Sequence, residues 1–567
     1  MAKSQKKIKE CKHNGTRFPD LFKSRGFTLV GVSLHNSDVD SAEEMLWHYA
    51  AKLDTDYVKN EVFNKNFYLC LMGQLHGSLR SIKFPEGFMS VLTEMKKLQE
   101  KEKEEKDQYK KDHKDELKKD AEDLKEKYGY ATLNGEKQPL MSNLVEGPGI
   151  FIARGDAPLL GMWKYRTMPE DVTINYIGPK EGIPKAPEGH HWKKVTHNQV
   201  YYIASYEVDI GHVIKKNKEI RFGSGSSVKA DADQKKFDKA VNLLQHKKEM
   251  EQYIRENLTN PDPKIAECAL ISWLLQETGI RIGNSKNTEI EADTVGASTL
   301  KKENIWADDG LLFLNFIGKD SIPYKNEIEV PKYIETAINR KVKKAKDGEQ
   351  IFSVDSNDVN KFLGACVEGC TPKLWRTAIA TELLVNAFKD QHVKKSMTVA
   401  EKLRAFDLAN LEVAKKLNHK KAVSKNYDTQ IEKLDSTIEA DEKKFNELKI
   451  KLNNEIKELD KKIKKAKELG LDRNVKSFKE TKKKKQERLT KAEESLKNKK
   501  FKREFKEQTM DIAIGTSRTN YCSPKIAYSI CKDLDIPIEK IYSKSLLEKF
   551  KWAENVSKDY WRKYPDV

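Results

Sequence analysis

The sequence predicts a multidomain protein, mainly α-helical with an α+β core, carrying an antiparallel coiled-coil hairpin ahead of a compact C-terminal ending. Three observations lead there. The chain has 567 residues, too many for one hydrophobic core. Charged residues make up 34% against 38% hydrophobic, so much of the length must be exposed helix or flexible segment. Apolar residues also fall at 431, 434, 438, 445, 448, 452, 456, 459, 463 and 466, an a/d heptad seam.

In chain order, residues 1–20 are polar and basic and are expected to be disordered. From Asp38 to about Leu92 the pattern is helical, with Met45, Leu46, Tyr49 and Leu53 at helical spacing. From Lys96 to Tyr128 nearly every residue is Lys, Glu or Asp, which reads as a solvated strut laced with ion pairs. The segment Gly147–Gly155 has the glycines and proline of tight loops beside short strands, and Val172–Tyr176 and Val200–Ser205 are strand-like. Gly223–Ser227 reads as a hinge. Helical patterns fill roughly 232–285. Strands at Leu311–Ile317 and Glu327–Val330 interrupt, and helices resume to about 425. After the heptad seam, Leu469–Asp472 supplies a turn and a second Lys-rich helix runs to about Phe505. A hairpin that folds back brings its two ends together, so it need not separate the parts that flank it.

Charge narrows the function. The formal net charge is +18, from 106 Lys+Arg against 88 Asp+Glu, and implies a polyanionic partner: DNA, RNA or an anionic membrane. The longest apolar run, around Cys268–Leu275, is too short to span a bilayer, and the N-terminus has no apolar signal core. Nucleic acid is therefore favoured. Seven scattered cysteines, an odd number, point to a reducing compartment. Cys366 and Cys370 could share a helix face, but without a second pair they read as core thiols.

Tyr521 is the candidate for chemistry. It lies in Gly515–Lys525, at the start of a compact ending that holds Trp552 and Trp561. A phenol, with a pKa near ~10, attacks at neutral pH only where cations stabilise its anion and the charge on its target. Four other segments set cations in defined settings: Arg281 between Gly279 and Gly283, Lys319 in the turn Gly318–Ser321, Arg376 beside Trp375, and His419 at a helix end. Taken singly, Arg281 or Lys319 is better read as a partner in a structural salt bridge. Together they fit one reaction. Two arginines and a histidine hold the non-bridging oxygens of a phosphodiester, a lysine acts as general acid, and Tyr521 attacks. There is no P-loop, zinc spacing or paired-carboxylate motif.

With these residues in place, the chain resembles the eukaryotic-type DNA topoisomerase IB family from about residue 20 to the C-terminus. The resemblance also rests on Met168–Asp171, Ala292–Gly296, Gly318–Ser321, Ile536–Tyr542 and Glu548–Ala553. It implies Tyr521 as nucleophile, activated by Arg281, Lys319, Arg376 and His419. It implies a 3′-phosphotyrosine with release of a 5′-hydroxyl, strand swivel and religation. Double-stranded DNA would be the partner, with no cofactor, metal or ATP, no membrane, and a monomer as the acting form. The family fold implies a bilobed DNA clamp with a protruding antiparallel coiled-coil linker and a small helical C-terminal domain. Residues 21–228 would be its DNA-binding cap, 229–430 its catalytic core, 431–505 the linker and 506–567 the C-terminal domain. Phe151, Arg154, Lys193, Asp320, Lys373 and Asn520 would contact DNA. The location implied is the nucleus, with a viral factory or virion as the alternative.

Two departures stand out. Only about 20 residues precede the core, where nuclear members usually carry a long charged extension. Ala157 and Leu159 stand where the family usually has polar or basic residues. Two rivals are weaker. A tyrosine recombinase usually has an arginine three positions after its histidine, where this chain has Ala422 after His419. A non-catalytic DNA clamp has no need of all five polar residues.

Overall fold

Two hydrophobic cores form side by side in the N-terminal part of the chain. The structure, a computed structural model, describes residues 7–29, 32–34, 39–74 and 87–566. One core is helical. Ala42–Ala50, Glu61–Gln74 and Phe88–Asp112 bury Met45, Leu46, Phe63, Phe67, Leu71, Leu92 and Met95, as the helical spacing predicts. The first helix starts where the Ser41 hydroxyl accepts from the Glu44 amide. Asp38 and residues 75–86 of that expected helical stretch lie outside the described residues. Beyond Met95 neither Phe88–Asp112 nor Lys114–Tyr128 buries a residue, so this stretch is a solvated strut, broken at His113.

The second core is built on a six-stranded sheet. Gly149–Ile150, Trp163–Lys164, Tyr202–Ile210, Thr173–Asn175 and Lys194–Thr196 follow one another across it, and Ile214–Arg221 also pairs with Tyr202–Ile210. Every pairing is antiparallel except that of Thr173–Asn175 with Lys194–Thr196. Ala204, Tyr206, Val208 and Ile210 point inward at the two-residue period of a strand.

The expected disordered N-terminus is corrected for residues 7–20; residues 1–6 lie outside the described part. Ile8 and Cys11 are buried in the β core, and Cys11–Lys12 pairs antiparallel with Tyr130–Leu133. Asn134 Oδ1 accepts from the amides of Lys9 and Glu10. Two apolar side chains and a satisfied backbone hold this polar segment, which composition cannot foresee.

A third, larger core runs from Ala240 to Tyr564. Helices Ser227–Gln245, Pro263–Thr278, Pro372–Asp390 and Val399–Lys416 pack with the antiparallel sheet Ile305–Asp308, Leu311–Gly318 and Ile322–Glu329. Ile526, Ile530, Leu534, Phe550 and Trp561 of the C-terminal segment belong to this same core, against Leu384, Phe388 and Phe406. That segment is too short to bury so much apolar surface alone.

Between them, Tyr427–Glu468 and Asp472–Gln508 form a helical hairpin, with Gly470 in the left-handed region at the turn. Every predicted seam position is buried or half-buried. Ion pairs Asp435–Arg503, Asp441–Lys499, Glu455–Lys485 and Asp460–Lys482 tie the two helices in antiparallel register. At the open end Lys420 bridges to Ile512, so the hairpin's ends do meet.

Candidate active site

Five elements deliver the five residues, one each, to one cavity of about 980 Å³. Helix Pro263–Thr278 stops at Gly279, whose φ of 65° and contact with the Lys416 carbonyl leave no room for a side chain. The chain then runs into Arg281. A Cβ at Gly296 would lie 2.4 Å from the Gly283 nitrogen, so that close approach of backbones fixes the Arg281 loop. Lys319 leads the turn joining Leu311–Gly318 to Ile322–Glu329, where Asp320 and Ser321 both take positive φ. It is exposed and has no carboxylate partner among the described residues.

Arg376 is the hub. It sits in the first turns of Pro372–Asp390, 3% exposed, and its guanidinium donates to the carbonyls of Gly279 and Leu417. One side chain thereby ties the Arg281 loop to the His419 loop. It also lies over the Tyr521 ring, 5.3 Å from the centroid. Burial lowers its pKa to about 10, which leaves it charged at neutral pH.

His419 follows the end of Val399–Lys416, its amide donating to the Ala414 carbonyl at 2.9 Å. Its ring and that of Tyr521 have centroids 5.0 Å apart. Burial, and then the charges of Arg376 and Arg281, lower its pKa to about 3, so it is neutral here. Both its ring nitrogens, and Nε of Arg376, are buried without a hydrogen-bond partner among the described residues. Buried polar atoms are seldom left so, and both residues line the cavity. Tyr521 ends the helix Ile514–Asn520. Burial raises the pKa of its phenol, but the charges of Arg376 and Arg281 outweigh burial and hold it below the ordinary tyrosine value.

The remaining predicted residues divide. Asp320, Lys373 and Asn520 line the same cavity. Phe151 and Arg154 do not, yet the Arg154 carbonyl accepts from the Ser321 hydroxyl at 3.0 Å, which brings that loop to the Lys319 turn. Phe151 is half-buried on the β core, with Lys216 above its ring. Lys193 is exposed beside the strand Lys194–Thr196, away from the cavity lining. Ala157 and Leu159, the departures from the family pattern, are buried in the two N-terminal cores. Sequence reasoning missed Lys229, Lys236, Lys420 and Lys549, which also line the cavity, as does Lys125 of the strut. Isolated lysines among 106 Lys+Arg carry no signal of their own. No group of three or more His, Cys, Asp or Glu among the described residues is placed to hold a metal, and none of the described helices is long and apolar enough to cross a membrane.

Three family models match successive parts of the chain. Residues 6–219 match the eukaryotic DNA topoisomerase I DNA-binding fragment, 225–452 its catalytic core and 493–562 a C-terminal topoisomerase domain. DNA topoisomerase 1 of Homo sapiens is 30% identical over 528 residues, covering 92% of this chain and 67% of that protein. The chain belongs to the eukaryotic DNA topoisomerase I family. DNA topoisomerase 1 alpha of Arabidopsis thaliana is 34% identical over 571 residues, covering 98% of this chain. The chain spans 59% of that relative's length. A mitochondrial DNA topoisomerase I of Rattus norvegicus is 29% identical over 98% of this chain and 92% of its own. These topoisomerase I relatives are plant and animal proteins and lend the viral alternative no support.

Proposed function

We propose that this chain is a type IB DNA topoisomerase that relaxes positive and negative supercoils through a 3′-phosphotyrosine intermediate. The observation that carries the reading is the Tyr521 phenol beneath Arg376 and beside His419, in a cavity lined by the basic side chains of Arg281, Lys319, Lys373 and Arg376. Arg281, Arg376 and one N–H of neutral His419 receive the non-bridging oxygens of a phosphodiester and stabilise the charge that builds on them. Tyr521 loses its phenolic proton to water, its oxygen attacks phosphorus, the P–O5′ bond breaks, and Lys319 gives a proton to the leaving 5′-oxygen. The freed strand rotates about its intact partner. The 5′-hydroxyl then attacks the phosphotyrosine, returns its proton and expels Tyr521. Bond energy is conserved in the phosphotyrosine, so the scheme draws on no ATP.

Duplex DNA occupies the groove between the two lobes, with 21–228 as the cap and 229–430 with 506–567 as the catalytic half. Support comes from the Ser321–Arg154 contact and from Lys125 of the cap at the catalytic cavity. The hairpin 431–505 projects from that half as a linker restraining rotation, and a single chain suffices because the hairpin satisfies its own seam. The working place is the nucleus.

The test is relaxation of negatively and positively supercoiled plasmid with EDTA and without ATP. Wild type relaxes both signs. Tyr521→Phe binds DNA and relaxes neither. Relaxation by Tyr521→Phe would sink the assignment of the nucleophile, and tight binding without relaxation by wild type would favour the clamp reading.

A further inference from the structure

Three consecutive peptide carbonyls run up to and include Tyr521, and a side chain from a different element takes each one. Lys549 Nζ donates to the Thr519 carbonyl at 3.2 Å, and Lys236 Nζ to that of Asn520 at 3.0 Å. Thr381 Oγ1 lies 3.2 Å from the carbonyl of Tyr521 itself and shares its hydrogen with the Thr377 carbonyl at 3.1 Å. The same hydroxyl accepts from the Ser523 amide at 3.1 Å, so Thr381 grips the backbone on both sides of Cys522, directly after Tyr521. Asp233 lies between the two lysines, 3.5 Å from Lys236 and 3.7 Å from Lys549, and lets two like charges stand together.

These contacts join three parts of the molecule. Lys236 is on Ser227–Gln245, Thr381 on Pro372–Asp390 and Lys549 on Lys544–Lys549. Thr381 stands little more than one helical turn beyond Arg376 on the same helix. The carbonyls at the C-terminal end of Ile514–Asn520 lack intrahelical donors and would otherwise turn to water. Thr381 is fully buried, so nothing it does can be contact with DNA.

We propose that Thr381, Lys236 and Lys549, with Asp233 holding the lysines, are positioning residues for the nucleophile. They lock the backbone around Tyr521 to the helix that carries Arg376, so that the phenol oxygen is aimed at the phosphorus these cations hold. The inference rests on the function proposed above, and it assigns work to Thr381, which is buried out of reach of the scissile phosphate. A misplacement of about 1 Å at a reacting atom lowers the rate by about 10²-fold, which sets the size of the effect expected.

The experiment is single-turnover cleavage of a duplex oligonucleotide at saturating enzyme, with DNA affinity and thermal melting measured on the same variants. Thr381→Val lowers the cleavage rate by about 10- to 100-fold, while affinity stays at the wild-type value. Thr381→Ser restores the rate, since it returns the hydroxyl. Lys549→Met, which leaves the buried core untouched, lowers the saturated rate as well, and this variant decides the matter if Thr381→Val does not fold. Wild-type rates in Thr381→Val and Lys549→Met, or losses that follow affinity or the unfolded fraction, would overturn the positioning role. Wild type that fails to cleave would instead remove the proposed function, and this inference with it.

Discussion

His419 and Tyr521 lie ring against ring, 5.0 Å between centroids with planes 38° apart, although the whole helical hairpin separates them in sequence. What joins them is the closure at the hairpin's base. Lys420 bridges to Ile512, and the amide of Ala513 donates to the His419 carbonyl at 2.6 Å.

It follows that the hairpin's length is free to change. Replacing 431–500 by a short loop keeps the Lys420–Ile512 closure and should leave DNA cleavage at the wild-type rate, while altering processivity or swivel rate. Loss of cleavage in that variant would make the hairpin part of the catalytic fold.

Arg376 should be harder to replace than its charge suggests. Its guanidinium reaches the Gly279 and Leu417 carbonyls at once, and a lysine can reach only one. We expect Arg376→Lys to lower cleavage about 10²-fold or more. Leaving a buried carbonyl unpaired should also lower unfolding free energy by about 1–3 kcal/mol. Urea denaturation beside single-turnover cleavage checks both, and unchanged stability would refute the bridging role.

The neutral His419 gives a pH signature to the DNA-free protein. Its folded pKa is lowered, mainly by burial, to about 3, against about 6.5 for an unfolded histidine. Below that unfolded value the unfolded chain takes the proton first. Stability linked to this residue is therefore intact above about pH 6.5 and is lost progressively as pH falls toward about 3. Urea midpoints between neutral pH and pH ~4.5 should fall further for wild type than for His419→Gln. Equal falls would mean that His419 already carries a proton in the folded state.

If Lys319 is the general acid proposed above, it should matter only to a leaving group that needs a proton. We expect Lys319→Ala to slow cleavage of ordinary DNA by about 10²- to 10⁴-fold. On DNA whose 5′-bridging oxygen is sulfur, the thiolate leaves unaided and the variant should approach wild type. A defect equal on both substrates would show that Lys319 holds the phosphate instead.

Salt adds a further check. Each phosphate neutralised by lysine or arginine releases counterions, so affinity for duplex DNA should fall steeply as salt rises. A flat response would argue against a wrapped clamp.

Much of this protein was legible in its sequence because the signals are local. The heptad seam needs only spacing, and each of its positions from Ile431 to Ala466 is buried or half-buried. Gly279 as a helix end, Gly318–Ser321 as a turn and Arg376 beside Trp375 are read from neighbours in the chain. Other features depend on contacts between distant residues. Ile8 and Cys11 find a core only because Tyr130–Leu133 lies alongside, and the C-terminal helix completes a core begun at Ala240. The tertiary structure alone decided that Arg376 ties two loops by their carbonyls. It alone set Lys236, Thr381 and Lys549 around the backbone of Tyr521. A lysine's neighbours in sequence say nothing of which carbonyl it reaches, because folding, through the burial of distant apolar faces against one another, chooses the partner.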